Sequence, residues 1–340
     1  MHKTVPLLSA SLVLLGAAPA AAQSTDPTAP AFETLCTPAD PRLGELSGLV
    51  ASGDRLFAIG DSGSDDAVAV MDTSCAVSEW IPVPVDPYDV EDLSARDGAL
   101  WLSDTGDNNR RRETVALTRM DQESGAGELH RLTYPDGPHD AETLLLQPDG
   151  VPLIVTKDIL GASGVYRPVG GASVDDLATP GPTPLEKIGD LDVSATQEPG
   201  AIGSIMFTGG AVSADGKVAA VRSYSDVYLF PVSDGEVGEA LTTVEPVRVP
   251  LPTEPQGEAV AFTEDGDLLI ASEANGGPLP PVQILRGAVD FVAGPDSGDT
   301  DPDASAVTES ATAWAAGGVV VVAGVLGWIL VRRRQRSRWT

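Results

Sequence analysis

Cysteine is nearly absent from this 340-residue sequence, which holds only Cys36 and Cys75. An even count with no histidine nearby in sequence argues against a catalytic thiol. The pair is expected as a disulfide, and closing a 39-residue loop is worth about 4 kcal/mol in the chain-entropy model. Histidine is almost as scarce, with three residues in all. The candidate metal donors are then oxygens, with at most His139 nearby, which favours Ca²⁺ or Mg²⁺ over zinc. No G-x-S-x-G elbow and no glycine-rich phosphate loop before a helix occurs, so no nucleotide or redox cofactor is indicated.

Basic side chains are also in short supply, 21 against 50 acids for a net charge of −29. No Asp or Glu precedes residue 24 or follows residue 312, and six of the Lys and Arg lie outside that window. The segment between therefore carries 15 basic and 50 acidic side chains, a net charge of −35. Such a surface repels nucleic acid and anionic lipid and attracts cations. Acidic surfaces also serve solubility or salt tolerance.

Long apolar runs occur only at the two ends. Residues 1–22 read as a secretory signal peptide, with His2 and Lys3 before an apolar run and Ala20-Ala21-Ala22 at the cleavage site. Residues 313–331 are uncharged and long enough to cross a bilayer, with Trp314 and Trp328 near the two interfaces. The basic tail 332–340 follows at once, which places the C-terminus in the cytoplasm and the preceding domain outside the cell. Residues 294–312 are small and acidic, the composition of a flexible stalk.

Between the ends there is no amphipathic helical periodicity, so residues 23–293 are expected to be all-β. A hairpin plan of acid, apolar strand, glycine turn, apolar strand and polar residue repeats five times. Its turn glycines are Gly53, Gly98, Gly150, Gly216 and Gly266, at spacings of 45, 52, 66 and 50. Repeats of this length built from short strands predict a β-propeller. Five blades fit the count, with six as the alternative because the Pro168–Gly203 stretch lengthens one interval. The short run Ala31–Cys36 is the candidate for the strand that closes the ring against the last blade.

Hairpin arithmetic brings polar residues to one mouth of the central channel. Glu45, Glu142 and Glu258 stand eight residues before their turn glycine and Glu91 stands seven before; Asp61, Asp104, Lys157, Arg222 and Glu273 stand six to eight after. Opposed positions in an antiparallel hairpin share the end away from the turn. Glu45, Asp61, Glu91, Asp92, Asp104 and Asp107 are the metal candidates. Asp140, Glu142, Lys157, Arg222, Glu258 and Glu273 are the ligand-binding candidates, with the two cations suited to an anion. Ca²⁺ is the candidate cofactor, since gathered carboxylates repel unless protonated or neutralised. A salt-bridged rim is the alternative. The loop Asp104-Thr-Gly-Asp-Asn-Asn-Arg110 could wrap a cation or simply be a turn. His139, beside Asp140, is a weak candidate general acid or base.

Taken together, DTGDNNRR, HDAETL, SADGKVAAVRSYSDVYLF and QGEAVAFTEDGDLLIASE resemble a family of secreted bacterial WD40-like or phytase-like β-propellers. That resemblance implies carboxylate-bound Ca²⁺ and basic residues holding phosphate. The expected function is a membrane-anchored extracellular propeller that binds an anionic small molecule or cell-envelope component at its acidic mouth. A calcium-dependent phosphoesterase or ester hydrolase is the enzyme alternative, and a protein-interaction platform is the third.

Overall fold

The structure, a computed structural model, describes residues 31–61, 63–158, 162–191, 193, 196 and 205–294. The expected signal peptide, the membrane span, the basic tail and all of the stalk after Gly294 lie outside these residues. Among the described residues no helix is long and apolar enough to cross a membrane.

Apart from short helical segments the described residues are β, and strand follows strand in up-and-down meanders. Strand β1 (Glu33–Cys36) comes first. The first meander is β2 (Leu46–Ser52), β3 (Arg55–Gly60), β4 (Ala67–Asp72) and β5 (Val77–Pro82). The second is β6 (Val90–Arg96), β7 (Ala99–Asp104), β8 (Val115–Asp121) and β9 (Gly127–Thr133). The third is β10 (Ala141–Leu146), β11 (Pro152–Thr156), β12 (Ser163–Pro168) and β13 (Thr183–Leu191), and the fourth is β14 (Phe207–Val212), β15 (Val218–Ser223), β16 (Asp226–Pro231) and β17 (Val247–Pro250). The last combines β18 (Gln256–Phe262), β19 (Leu268–Glu273) and β20 (Val282–Leu285) with β1, which pairs antiparallel to β20. Each innermost strand packs against the next, from β2 through β6, β10, β14 and β18 and back to β2. This closed ring of radial sheets is a β-propeller arrangement.

The ring forms because both faces of each sheet are apolar. A separate buried layer fills each junction between neighbouring meanders. Val50, Phe57 and Val68 meet Val90, Leu93 and Leu102 at the first, and Trp101, Leu117 and Leu132 meet Leu144, Ile154 and Tyr166 at the second. The layer that joins the last meander to the first holds Leu269 and Ile284 against Leu49 and Leu56. The Cys36–Cys75 disulfide lies in that same layer and fastens the closing strand to the turn between β4 and β5, as the sequence predicts.

The five turn glycines all adopt positive φ, between 59° and 87°, the backbone region that favours glycine. The 66-residue interval is partly accounted for by β13, whose end also pairs parallel to β9 at Thr183 and Pro184. The expectation of no helix needs correction in two places. Helix α1 (Val237–Thr243) buries Val237, Ala240 and Leu241 over the junction of the third and fourth meanders. Helix α2 (Ala288–Ala293) covers the junction of the fourth and last. Neither exceeds about two turns, too few for a periodic pattern to stand out.

Candidate functional site

Every innermost hairpin slips by one residue near the end away from its turn. The pairing runs Leu46↔Gly60 then Gly48↔Ile59, Val90↔Asp104 then Asp92↔Ser103, and Ala141↔Thr156 then Thr143↔Val155. The same slip falls between Phe207 and Gly209 and between Gly257 and Ala259. The extra residues are Ser47, Glu91, Glu142, Thr208 and Glu258. A bulge of this kind re-aims a side chain, and all five are buried. Ser47 and Thr208 spend their hydroxyls on the neighbouring strand, at Glu91 O (2.9 Å) and Gly257 O (3.0 Å). Three glutamates remain.

Glu91 and Glu142 meet Asp140, with one carboxylate oxygen from each lying within 4.8 Å of the others. Burial pushes the Glu91 carboxyl well above the usual range, and repulsion from Glu142 and Asp89 adds to it. Burial raises Glu142 and Glu258 likewise, against the pull of Lys157. Asp140 is raised by burial in spite of the Asp107 N–H it accepts at 2.8 Å. Gly106 is what permits the crowding, because a Cβ there would run into Glu91 Oε1 and Asp89. Lys157 is largely enclosed, and its desolvation disfavours the charge, yet Glu142, Tyr224 and Glu258 hold its ammonium well above the usual lysine range. It donates to Glu142 and, at 2.8 Å, to the Tyr224 hydroxyl. Tyr224 is absent from the sequence expectations because nothing in its spacing ties it to the hairpin repeat.

Glu45, Asp61 and Glu273 form a second group within 4.8 Å. Glu45 ends a short 3₁₀ turn (Pro41–Glu45) ahead of β2, and its carbonyl accepts the Asp61 N–H at 2.9 Å. The expected single ring is thus two groups.

Five of the expected site residues are committed elsewhere. Asp92 points into the ring of strands, where Oδ1 accepts the Leu93 N–H and Oδ2 accepts those of Leu144 (2.8 Å) and Gly210 (3.0 Å). It clasps β6, β10 and β14 together, and burial lifts its carboxyl well up against those three donors. Asp104 pairs with Arg112 at 2.8 Å and accepts the Tyr88 and Asp89 amides. Asp107 accepts the amides of Arg111 and Arg112, so the end of the DTGDNNR loop turns back on that one carboxylate. Arg222 is fully buried. It pairs with Glu254 at 2.7 Å and donates to the Ala259 and Ala271 carbonyls, so it offers nothing to an anion. His139 is held at Nε2 by Asp136 (2.9 Å) and the Tyr166 hydroxyl (3.1 Å), with the Tyr134 ring edge-on.

Fold and site together define an all-β propeller with a carboxylate-rich channel mouth. No family model matches the chain, and no curated protein matches it. The phytase-like resemblance therefore rests on the quoted motifs alone. Among solved structures, a streptogramin B lyase is similar at 14% identity with a TM-score of 0.37, over 72% of this chain and 66% of that one. The match thus spans just under two thirds of that lyase. A virginiamycin B lyase from Staphylococcus aureus aligns at 11% identity over 72% of this chain and 84% of its own, TM-score 0.39. A luciferin-regenerating enzyme aligns at 12% over 75% and 94%, TM-score 0.38. Likeness of this degree carries nothing about activity.

Proposed function

We propose that the chain is a cell-surface propeller of five blades whose channel mouth holds a divalent cation, through which an anionic small molecule or cell-envelope component is bound. The observation that carries this reading is the convergence of Glu91, Asp140 and Glu142 within 4.8 Å in a buried setting. An all-oxygen donor set suits Ca²⁺ or Mg²⁺, and a cation relieves the repulsion that raises these carboxyls. Arg222 is buried against Glu254 and Lys157 against Glu142, so a bound ion is the better bridge to an anion. Nε2 of His139 is held by Asp136 and Tyr166 and its Nδ1 is buried away from solvent, and the hydrolase alternative gains no support from it.

Ca²⁺ at a hundredfold excess over its dissociation constant should stabilise the folded protein by about 2.7 kcal/mol. Thermal unfolding of the wild type and of Glu91→Gln/Glu142→Gln, with and without Ca²⁺, checks this. An equal Ca²⁺-dependent rise in both proteins would rule the mouth out as its source. The count of five rests on five meanders with five filled junctions.

The anchor is proposed from sequence: stalk 294–312, membrane helix 313–331 and cytoplasmic tail 332–340. The full chain should sediment with membranes and a chain ending at Ser310 should be released. Recovery of both in the soluble fraction would contradict it.

A further inference from the structure

One cation already stands among these acids, the ammonium of Lys157, whose side chain is 11% exposed. It donates to Glu142 Oε2 and to the Tyr224 hydroxyl, with the Tyr224 ring centroid 5.0 Å away. Its field also reaches Glu258 and Glu91. A divalent ion drawn to Glu91, Asp140 and Glu142 meets this ammonium at Glu142. Two cations on one buried carboxylate repel strongly where the dielectric is low, so Lys157 must give up Glu142 for the ion to enter.

The structure provides a place for it to go. Glu258 is 3% exposed; its Oε1 takes the Gln256 side-chain amide at 2.8 Å, while its Oε2 is buried without a hydrogen-bond partner. A buried carboxylate oxygen with no donor is uncommon and calls for an explanation. A lysine stem pivoting about the Tyr224 hydroxyl would supply the missing donor.

We propose that Lys157 is the specificity-determining residue of the mouth, its ammonium resting on Glu142 until a divalent ion arrives and then moving to Glu258. A monovalent ion would bring one unit charge to Glu91, Asp140 and Glu142 at the same cost of moving the ammonium, and would shed its hydration to do so. A divalent ion brings twice that charge to the same three carboxylates. The mouth therefore selects Ca²⁺ or Mg²⁺ over Na⁺ and K⁺. This rests on the reading of the mouth as a cation site.

The test is calorimetric titration of Ca²⁺ into the full-length protein in detergent, in sodium chloride and in N-methylglucamine chloride. Wild type, Lys157→Met, Glu258→Gln and the double variant are compared, with circular dichroism confirming that each is folded. Lys157→Gln replaces the methionine variant if that one does not fold. In sodium-free buffer the loss of Lys157 should tighten Ca²⁺ binding about tenfold or more, and sodium should then compete with Ca²⁺ as it does not in the wild type. Glu258→Gln should weaken Ca²⁺ binding in the presence of Lys157 and much less in its absence. Wild-type binding with no tightening in the Lys157 variants, or an equal effect of Glu258→Gln in both backgrounds, would overturn the proposal. Failure of the wild type and of every Lys157 variant to bind Ca²⁺ would instead remove the cation reading, and this inference with it.

Discussion

Arg222→Met is expected to destabilise the protein by about 3–5 kcal/mol, the usual cost of breaking a buried ion pair from one side. The guanidinium is completely buried. Its removal leaves Glu254, whose Oε1 already lacks a partner, as an uncompensated buried carboxylate. The Ala259 and Ala271 carbonyls lose their donor as well. The surrounding chain is built for this side chain: a Cβ on Gly257 would collide with Arg222 Nη2, which explains a glycine inside β18. Lysine cannot substitute, since one ammonium does not reproduce a planar fork that reaches a carboxylate and two carbonyls. Urea unfolding measures the effect. An anion-binding arginine at an exposed mouth would instead shift stability by less than about 0.5 kcal/mol, and that result would return Arg222 to the ligand site.

Asp92→Ala should be nearly as damaging. It strips the acceptor from three buried amides, those of Leu93, Leu144 and Gly210, at about 1–3 kcal/mol for each group left unsatisfied. Relief of the buried carboxylate's own desolvation offsets part of this, and a net loss of about 3–5 kcal/mol is expected. The damage has a signature that a global melt does not resolve. Hydrogen exchange at Leu144 and Gly210 should accelerate beyond that of β16, because both amides donate to Asp92 across from β6. Unchanged exchange at both amides would contradict the clasp.

Both residues show what sequence alone could and could not disclose. Hairpins, ring closure and the disulfide were legible because each depends on local chemistry: glycine at positive φ, alternating apolar strands, one leftover strand and one cysteine pair. Burial of a long side chain across a junction is a tertiary outcome. Arg222 and Lys157 therefore read as free cations, although each is sealed against a glutamate.

The place of Glu45 outside the Glu91 group has a more particular cause. In the two-residue turns Gly53 and Gly98 stand first and second after the last paired strand residue, Ser52 and Arg96. In the longer turn after β10, Gln147 and Val151 close the loop and Gly150 stands fourth after Leu146. Counting eight residues back from glycine thus finds the bulge at Glu142 but overshoots it by two in the first hairpin, landing on Glu45 instead of Ser47. Ser47 and Thr208 carry hydroxyls where the other bulges carry acids, so no charge marks them in the sequence. Asp107 accepts the amides of its own turn, whereas Asp104 reaches Arg112 and the amides ahead of β6, a contact its composition does not disclose.

The most direct test of the cation-holding mouth is calorimetric titration of Ca²⁺, with Mg²⁺ for comparison, into the wild type and into Glu91→Gln/Glu142→Gln. Saturable uptake of about one equivalent that disappears in the double variant is the predicted result, as expected for an all-oxygen Ca²⁺ site. Uptake that survives in the variant would move the ion to Glu45, Asp61 and Glu273, and no saturable uptake by the wild type would leave the mouth a salt-bridged rim.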